Sequence, residues 1–339
     1  MSELFVTGLG AVSPAGWNVA ALRAALEKNE PLPVQTLPRP GWDKPLPVRL
    51  VPSARPDFLA HPRLRRTSPI THYAAAAALE ATAGLKANPA AKDCRLGIVV
   101  CLQSGCVQYS CRFYDETLKN PATASPLVFP ETVYAAPTSH VAALLGNVVL
   151  AYSLVGDPSS FLQGVVLAAE WLAENRVDAC LVIGAEETNW ILADAMYLLN
   201  RPAIVAAGAG ALCLSGEERF SSGVKLAAIT DAHTFSAARS RSQAALAMRQ
   251  QLGHGVPGEL LCDGLGTSLR ADAAERKAWE DWIGPRFSPK KILGEGLMAA
   301  AAWQCVAACD FISAKTFPAA SVSVVGSNQQ AIGARFVAG

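Results

Sequence analysis

The sequence predicts a layered α/β fold built from two similar halves, on three observations. Short apolar runs alternate with segments of helical period along the chain, the pattern of a largely parallel sheet covered by helices. The same alternation restarts after a compositional break at residues 217–223, which divides the chain into halves of 1–217 and 218–339. A length of 339 residues also exceeds what one hydrophobic core usually holds, so two core units are expected.

Residues 4–13 (LFVTGLGAVS) read as a buried strand running into a glycine turn, and 19–26 as an amphipathic helix. Gly8-x-Gly10 invites a dinucleotide-binding reading. Ser13 stands where a third glycine would be, and no second strand ending in an acidic residue follows, so that signal is weak and no cofactor is expected. Residues 31–56 are proline-rich and aperiodic, hence a surface loop. Thr67-Ser68-Pro69 opens an alanine-dense helix over 70–85; 95–102 is a strand, 107–118 a helix, and 122–137 an irregular loop carrying Phe129 and Tyr134. Thr138-Ser139 caps a short helix over 140–145.

The chain is organised around residues 150–187: an apolar strand, a turn at Gly156-Asp157-Pro158, a buried helix, and a second apolar strand ending in Glu186-Glu187. Asp157 suits the N-cap and Pro158 the first helical position. Phe161, Val165, Ala168, Ala169 and Leu172 recur at helical spacing while Leu162, Val166 and Leu167 fill the other side, so the helix is apolar nearly all round and central. A polar and aromatic loop follows, then a strand at 208–215. The second half reads as strand 224–230, helix 237–250, strand 259–263, a glycine turn, helices 271–282 and 296–311, and terminal strands at 321–325 and 331–337.

Composition excludes several classes. A net charge of +1 lacks the basic excess of a nucleic-acid binder. Hydrophobic content of 51% with 17% charged residues describes a large core and a sizeable subunit interface. The longest stretch without charged residues, 132–156, is broken by Pro137-Thr138-Ser139-His140 and Gly146-Asn147, so its apolar pieces fall short of a membrane span. Leu4-Phe5-Val6 is too short for the core of a signal peptide. Nine cysteines scattered through apolar context suit a reducing, cytoplasmic compartment. Cys101, Cys106 and Cys111 do not match zinc pairs, and Cys305-x3-Cys309 lacks a second pair, so no metal is expected.

Several segments resemble the β-ketoacyl synthase family. They are Val6-Thr7-Gly8-Leu9-Gly10-Ala11-Val12-Ser13-Pro14, Ser125-Pro126 through Phe129-Pro130, Ser139-His140-Val141-Ala142, and residues 177–186. More weakly, the likeness extends to Gly264-Leu265-Gly266-Thr267 and 290–302. The resemblance implies a thiolase-like five-layer αβαβα fold of two pseudo-repeated halves with mixed sheets, the C-terminal half shortened. It also implies where catalysis would sit. Aligned without a gap from Tyr152-Ser153 to Gly184-Ala185-Glu186, Pro158 falls on the family's nucleophilic cysteine. Asp263 falls on the first catalytic histidine and Glu295 on the second, Lys290 being retained, and the glycine-rich gate is not recognisable in Gly326-Ser327-Asn328-Gln329-Gln330. Condensation needs a thiolate and enolate-stabilising donors, which proline, aspartate and glutamate do not supply.

The resemblance therefore implies a non-catalytic subunit of chain-length-factor type. It would pair with an active ketosynthase through the strand at 147–155, receive an acyl carrier protein, and shape an acyl tunnel with Phe113, Phe129 and Tyr134. Arg63, Arg65 and Arg66 suit an acidic carrier by charge, or equally a solvated face. The alternatives are an acyltransferase or hydrolase using Ser159 or Ser160 with Asp263 or Glu295 as base, and a homodimeric scaffold. Against a serine nucleophile, both hydroxyls fit the first helical turn as N–H acceptors and no histidine is placed beside them. Glu186-Glu187 reads as a structural loop and His140 as a packing or interface histidine.

Overall fold

The computed structural model describes residues 3–199, 203–236 and 238–339. In the first half, strand β1 (Leu4–Val12) leads to helix α1 (Val19–Lys28), strands β2 (Gln35–Leu37) and β3 (Leu46–Arg49), helix α2 (Pro69–Ala87), strand β4 (Leu96–Leu102), and helices α3 (Val107–Lys119) and α4 (Ala136–Leu145). Strand β5 (Val148–Val155), helix α5 (Ser160–Ala173), strand β6 (Ala179–Glu186), helix α6 (Trp190–Leu199) and strands β7 (Val205–Ala206) and β8 (Gly208–Ser215) follow. The second half holds β9 (Val224–Ile229), β10 (His233–Thr234), α7 (Arg241–Leu252), β11 (Leu260–Cys262), α8 (Leu269–Ala278), β12 (Arg286–Phe287), α9 (Pro289–Leu293), α10 (Met298–Ser313), β13 (Ala319–Val325) and β14 (Gln330–Ala338).

Pairing patterns repeat between the halves. The first sheet runs β5-β4-β6-β8-β1 and the second β12-β11-β13-β14-β9, each with two parallel pairings at its outer edge and two antiparallel pairings inside. They join edge to edge where β1 meets β9 antiparallel, through Leu4–Leu226, Phe5–Lys225 and Val6–Val224. The sheets are thus mixed rather than largely parallel. A strand such as β14, four residues after β13, can only return antiparallel, since a parallel return needs a long crossover.

Helices make five layers with these sheets. Outside the first sheet, α2 packs on β1, β8 and β6; between the sheets lie α5 and α10; outside the second, α7 packs on β14 and α8 on β13. Residues 298–312 of α10 are all buried, as a helix flanked by two sheets must be. Its neighbours Trp303 and Gln304 point opposite ways. The Trp303 indole donates to the carbonyls of Val12 and Ala209 at 2.9 and 3.0 Å, whereas the Gln304 amide donates to Ser323 and Cys262 at 2.8 and 3.3 Å. One turn of helix therefore pins both halves. Gly8-x-Gly10 serves packing: a Cβ at Gly8 or Gly10 would stand 2.0 or 1.9 Å from the carbonyl oxygen of Ala81 or Ala77 on α2, so only glycine lets the alanine face of α2 approach β1.

Local readings need correction in four places. The loop at 31–56 contains β2 and β3, which with β7 form a small sheet around buried Leu46 and Val48. The loop after Glu187 holds α6, anchored by Arg39 to Asp194 at 2.6 Å. Helix α4 begins at Ala136, with Pro137 in its first turn where a missing N–H costs nothing, and Thr138 shares a 2.6 Å hydrogen bond with Ser153 instead of capping. Helix α7 begins at Arg241 behind a Ser240–Gln243 capping box; the expected start, Ala237, lies outside the described residues. Among the described residues no helix is long and apolar enough to cross a membrane.

Candidate functional site

Loops at the carboxyl ends of parallel strands are where open α/β sheets place their sites. Here Asp157 follows β5, Glu186 ends β6, Asp263 follows β11 and the 326–329 loop follows β13.

At the start of α5, Asp157 through Ser160 are all buried. Asp157 Oδ1 accepts the Ser159 N–H at 3.0 Å and the Ser159 hydroxyl, and Oδ2 accepts the N–H groups of Asn328 and Gln329 at 3.2 and 3.1 Å. Ser160 N–H donates to the Asp157 carbonyl at 2.8 Å and Phe161 N–H to that of Pro158 at 3.3 Å. The opening turn is thus a tightened i→i−3 turn, and the regular helix starts at Ser160 with Ser159 as its cap. Asp157 satisfies one N–H at the helix start, that of Ser159, but it is not the N-cap that the sequence suggested. It acts from two residues ahead of the cap, and Pro158 precedes the regular helix rather than occupying its first position. Pro158 carries no nucleophile. The Ser159 hydroxyl is spent on a carboxylate that also holds a distant loop, and no histidine contacts it among the described residues.

The two acidic positions of the second half are held by cations. Asp263 Oδ2 lies 3.1 Å from Arg286 Nε, and Oδ1 accepts the Leu265 N–H at 3.1 Å. Burial raises the Asp263 carboxyl above its ordinary range. Beside it, Glu275 accepts Gly264 N–H at 3.0 Å and the Ser323 hydroxyl at 2.5 Å, and burial, reinforced by Asp263, pushes it up to about 8. Lys290 and Glu295 form a fully buried pair at 2.8 Å. Lys290 also donates to Thr267 Oγ1 at 2.6 Å, and Glu295 accepts the Leu297 N–H at 2.7 Å. Each acid is thus paired with a cation, Glu295 with one that is itself buried.

The Glu186-Glu187 pair is architectural. Glu187 accepts the Ser68 hydroxyl, Ile70 N–H at 2.9 Å and Gln108 N–H at 2.7 Å, so one carboxylate caps both α2 and α3. Glu186 accepts the Gln103 and Ser104 N–H groups and the Ser104 hydroxyl while burial pushes it up to about 8. Sequence reasoning saw an acidic loop but not these long-range caps, because their partners lie 79 to 119 residues away. Among the described residues no group of three or more metal-ligating side chains is placed to hold an ion.

Phe113 and Phe129 meet with ring centroids 5.3 Å apart, and Tyr134 lies over Gly105, where a Cβ would stand 2.8 Å from its ring. Phe129 and Tyr134 are half exposed, and no residue of α3 is buried. Helix α4 connects this patch to β5: His140 bonds Glu131 at 2.9 Å on one side and Thr138 bonds Ser153 on the other. β5 is the edge of its sheet, with Val149, Tyr152 and Val155 exposed by 53, 53 and 51%. A groove of about 540 Å³ lined by Leu150, Tyr152, Leu154, Gln163, Leu167 and Trp171 runs beside it.

No protein-family model and no curated protein matches the chain. Solved structures do. The ishigamide ketosynthase/chain length factor superposes with a TM-score of 0.82 at 17% identity, over 99% of each chain. The structure of a type II polyketide synthase acyl-carrier protein in complex with its ketosynthase bound to the hexaketide gives 0.80 at 16% identity, over 99% of each chain. A ketosynthase in complex with its chain length factor, from Xenorhabdus doucetiae, gives 0.81 at 13% identity, over 100% of this chain and 98% of that one. The chain has a ketosynthase-like thiolase fold.

Proposed function

We propose that this chain is a non-catalytic ketosynthase-like subunit of chain-length-factor type. In this reading it pairs with an active β-ketoacyl synthase and shapes the tunnel in which that enzyme's acyl chain grows. One observation carries the reading: the positions that match the family's cysteine and two histidines are Pro158, Asp263 and Glu295, and the two buried acids are paired with the exposed Arg286 and the buried Lys290. A site so occupied has no thiolate to accept an acyl group and no free donor for an enolate.

Pairing is supported by β5. An edge strand presents unpaired N–H and C=O groups, and an exposed apolar one is a template for a second strand. The partner would be another chain of this fold, adding its own edge to β5 across a pseudo-twofold axis. Phe113, Phe129 and Tyr134 would then line or close the tunnel. An acyl carrier protein would approach the exposed Arg63, Arg65 and Arg66, of which Arg65 lines a cavity of about 430 Å³ together with Arg55, His61 and His72. We assign residues 1–217 and 218–339 as the two ketosynthase-like halves. Nine cysteines, none of them bridged, fit a cytoplasmic setting.

Co-expression with candidate ketosynthases, followed by size-exclusion chromatography and native mass spectrometry, tests the pairing. A one-to-one complex that Tyr152→Asp abolishes is expected. A stable homodimer that acylates itself on a serine would replace this reading with the Ser159 or Ser160 enzyme.

A further inference from the structure

We infer that Asp157 is an internal plug: its carboxylate fills an anion hole made by the start of α5 and the 326–329 loop, and so latches that loop over the helix. The donors come from two places far apart in the chain. Ser159 supplies its N–H at 3.0 Å and its hydroxyl, while Asn328 and Gln329 supply N–H groups at 3.2 and 3.1 Å. Converging backbone donors at a helix start are what acyl-transfer sites aim at a developing oxyanion. Here a side chain of the same molecule occupies them.

The loop is built to receive that carboxylate. Gly326 lies against it, since a Cβ there would come within 2.1 Å of Asp157 Oδ2. By contrast, the loop's own side chains hold it poorly. The Ser327 hydroxyl and the Gln330 Nε2 are buried without hydrogen-bond partners, and Gln330 Oε1 has only a long 3.4 Å contact from Gln163 on α5. From outside, Arg241 donates to the Ser327 carbonyl, and its guanidinium is stacked on Phe235 with 4.8 Å to the ring centroid. The Phe235 N–H donates to the Gln329 carbonyl at 2.9 Å from the same side, and the backbone bond from Gly326 N–H to the Gln330 carbonyl at 2.9 Å closes the turn; neither reaches α5. Asp157 is therefore the group that joins loop to helix. The plug keeps an acyl oxygen out of this subunit's pocket whether or not the chain has a partner, so its test uses the isolated full-length chain without any acyl donor.

Two measurements decide it. Hydrogen exchange read by NMR or fragment mass analysis should find the Asn328 and Gln329 amides protected in the wild type. In Asp157→Asn, whose amide turns donors toward donors, they should exchange at least about tenfold faster, the factor that corresponds to ~1.4 kcal/mol. Exposed-like exchange of these amides in the wild type, or unchanged protection in a folded Asp157→Asn, overturns the plug. In Asp157→Gly the vacated hole should take a small carboxylate. Its melting temperature should rise saturably with sodium formate and less with the larger propionate, at matched ionic strength, with no such rise in the wild type. An equal response in both proteins, or none beyond sodium chloride in the variant, overturns it as well.

Discussion

Glu295→Gln is expected to destabilise the protein far more than the double change Lys290→Met/Glu295→Gln. At 2.8 Å the Lys290–Glu295 attraction is about 6 kcal/mol in an effective dielectric of about 20. Bringing each ion out of water costs several kcal/mol in return, so the pair itself is close to neutral. The asymmetry appears when one member is removed. Glutamine keeps the shape and can still accept the Leu297 N–H, but Lys290, itself buried, is left with Thr267 Oγ1 as its remaining partner. Such an orphaned buried charge costs about 3–5 kcal/mol. Replacing both residues with uncharged ones of similar volume removes the orphan and should recover most of that loss. Equilibrium unfolding in guanidinium chloride of the wild type, both single variants and the double variant closes the cycle. A Glu295→Gln cost below about 1 kcal/mol, or a double variant equal to the sum of the singles, would refute the reasoning.

Two further outcomes are expected. Burial raises the Glu186 carboxyl from 4.5 to about 8, so the folded state holds a proton that the unfolded chain releases, and this group's contribution to stability falls as pH rises through that window. Glu186→Gln should remove up to about 1.4 kcal/mol per pH unit from that slope; a wild-type-to-variant difference that stays constant from about pH 5 to 7.5 would show that Glu186 does not titrate there. In the proposed heterodimer, Phe129→Ala opens space at the Phe113–Phe129 contact and should shift products toward longer acyl chains by mass spectrometry. Unchanged products would remove Phe129 from the tunnel.

What the sequence made legible follows from how local each signal is. The apolar, all-round pattern of α5 and the apolar run of β1 are determined by neighbours within a few residues, and both elements stand where the pattern puts them. Pro158, Asp263 and Glu295 were likewise visible as residues. Their partners were not: Arg286 lies 23 residues after Asp263, and Asn328 and Gln329 lie 171 and 172 residues from Asp157. Only the folded sheet order brings them together. Lys290 and Glu295 are five residues apart, yet Lys290 sits in α9 and Glu295 beyond its end at Gly294, so no helical spacing announced the pair. Helix α6 escaped because its run from Trp190 to Leu199 is apolar apart from Asp194, leaving no polar face to reveal its period. β2 and β3 escaped because three- and four-residue strands are too short for alternation to stand out.

The satisfied state of this site bears on how the protein can act. A catalytic centre keeps at least one polar group with unmet demand, because a nucleophile or base whose hydrogen bonds are all internal has nothing to offer a substrate. At the strand ends here, the buried carboxyl groups of Asp157, Glu187, Glu275 and Glu295 are each met by backbone N–H groups, hydroxyls or cations of the chain itself, and Asp263 is ion-paired with Arg286. Glu295 therefore cannot change alone without leaving Lys290 buried and unpaired. Together these contacts tie the start of α5 to the loop after β13, and α9 to the loop after β11. At the surface, the unpaired edge of β5 and the uncovered face of α3 offer the places where such a protein can meet a partner.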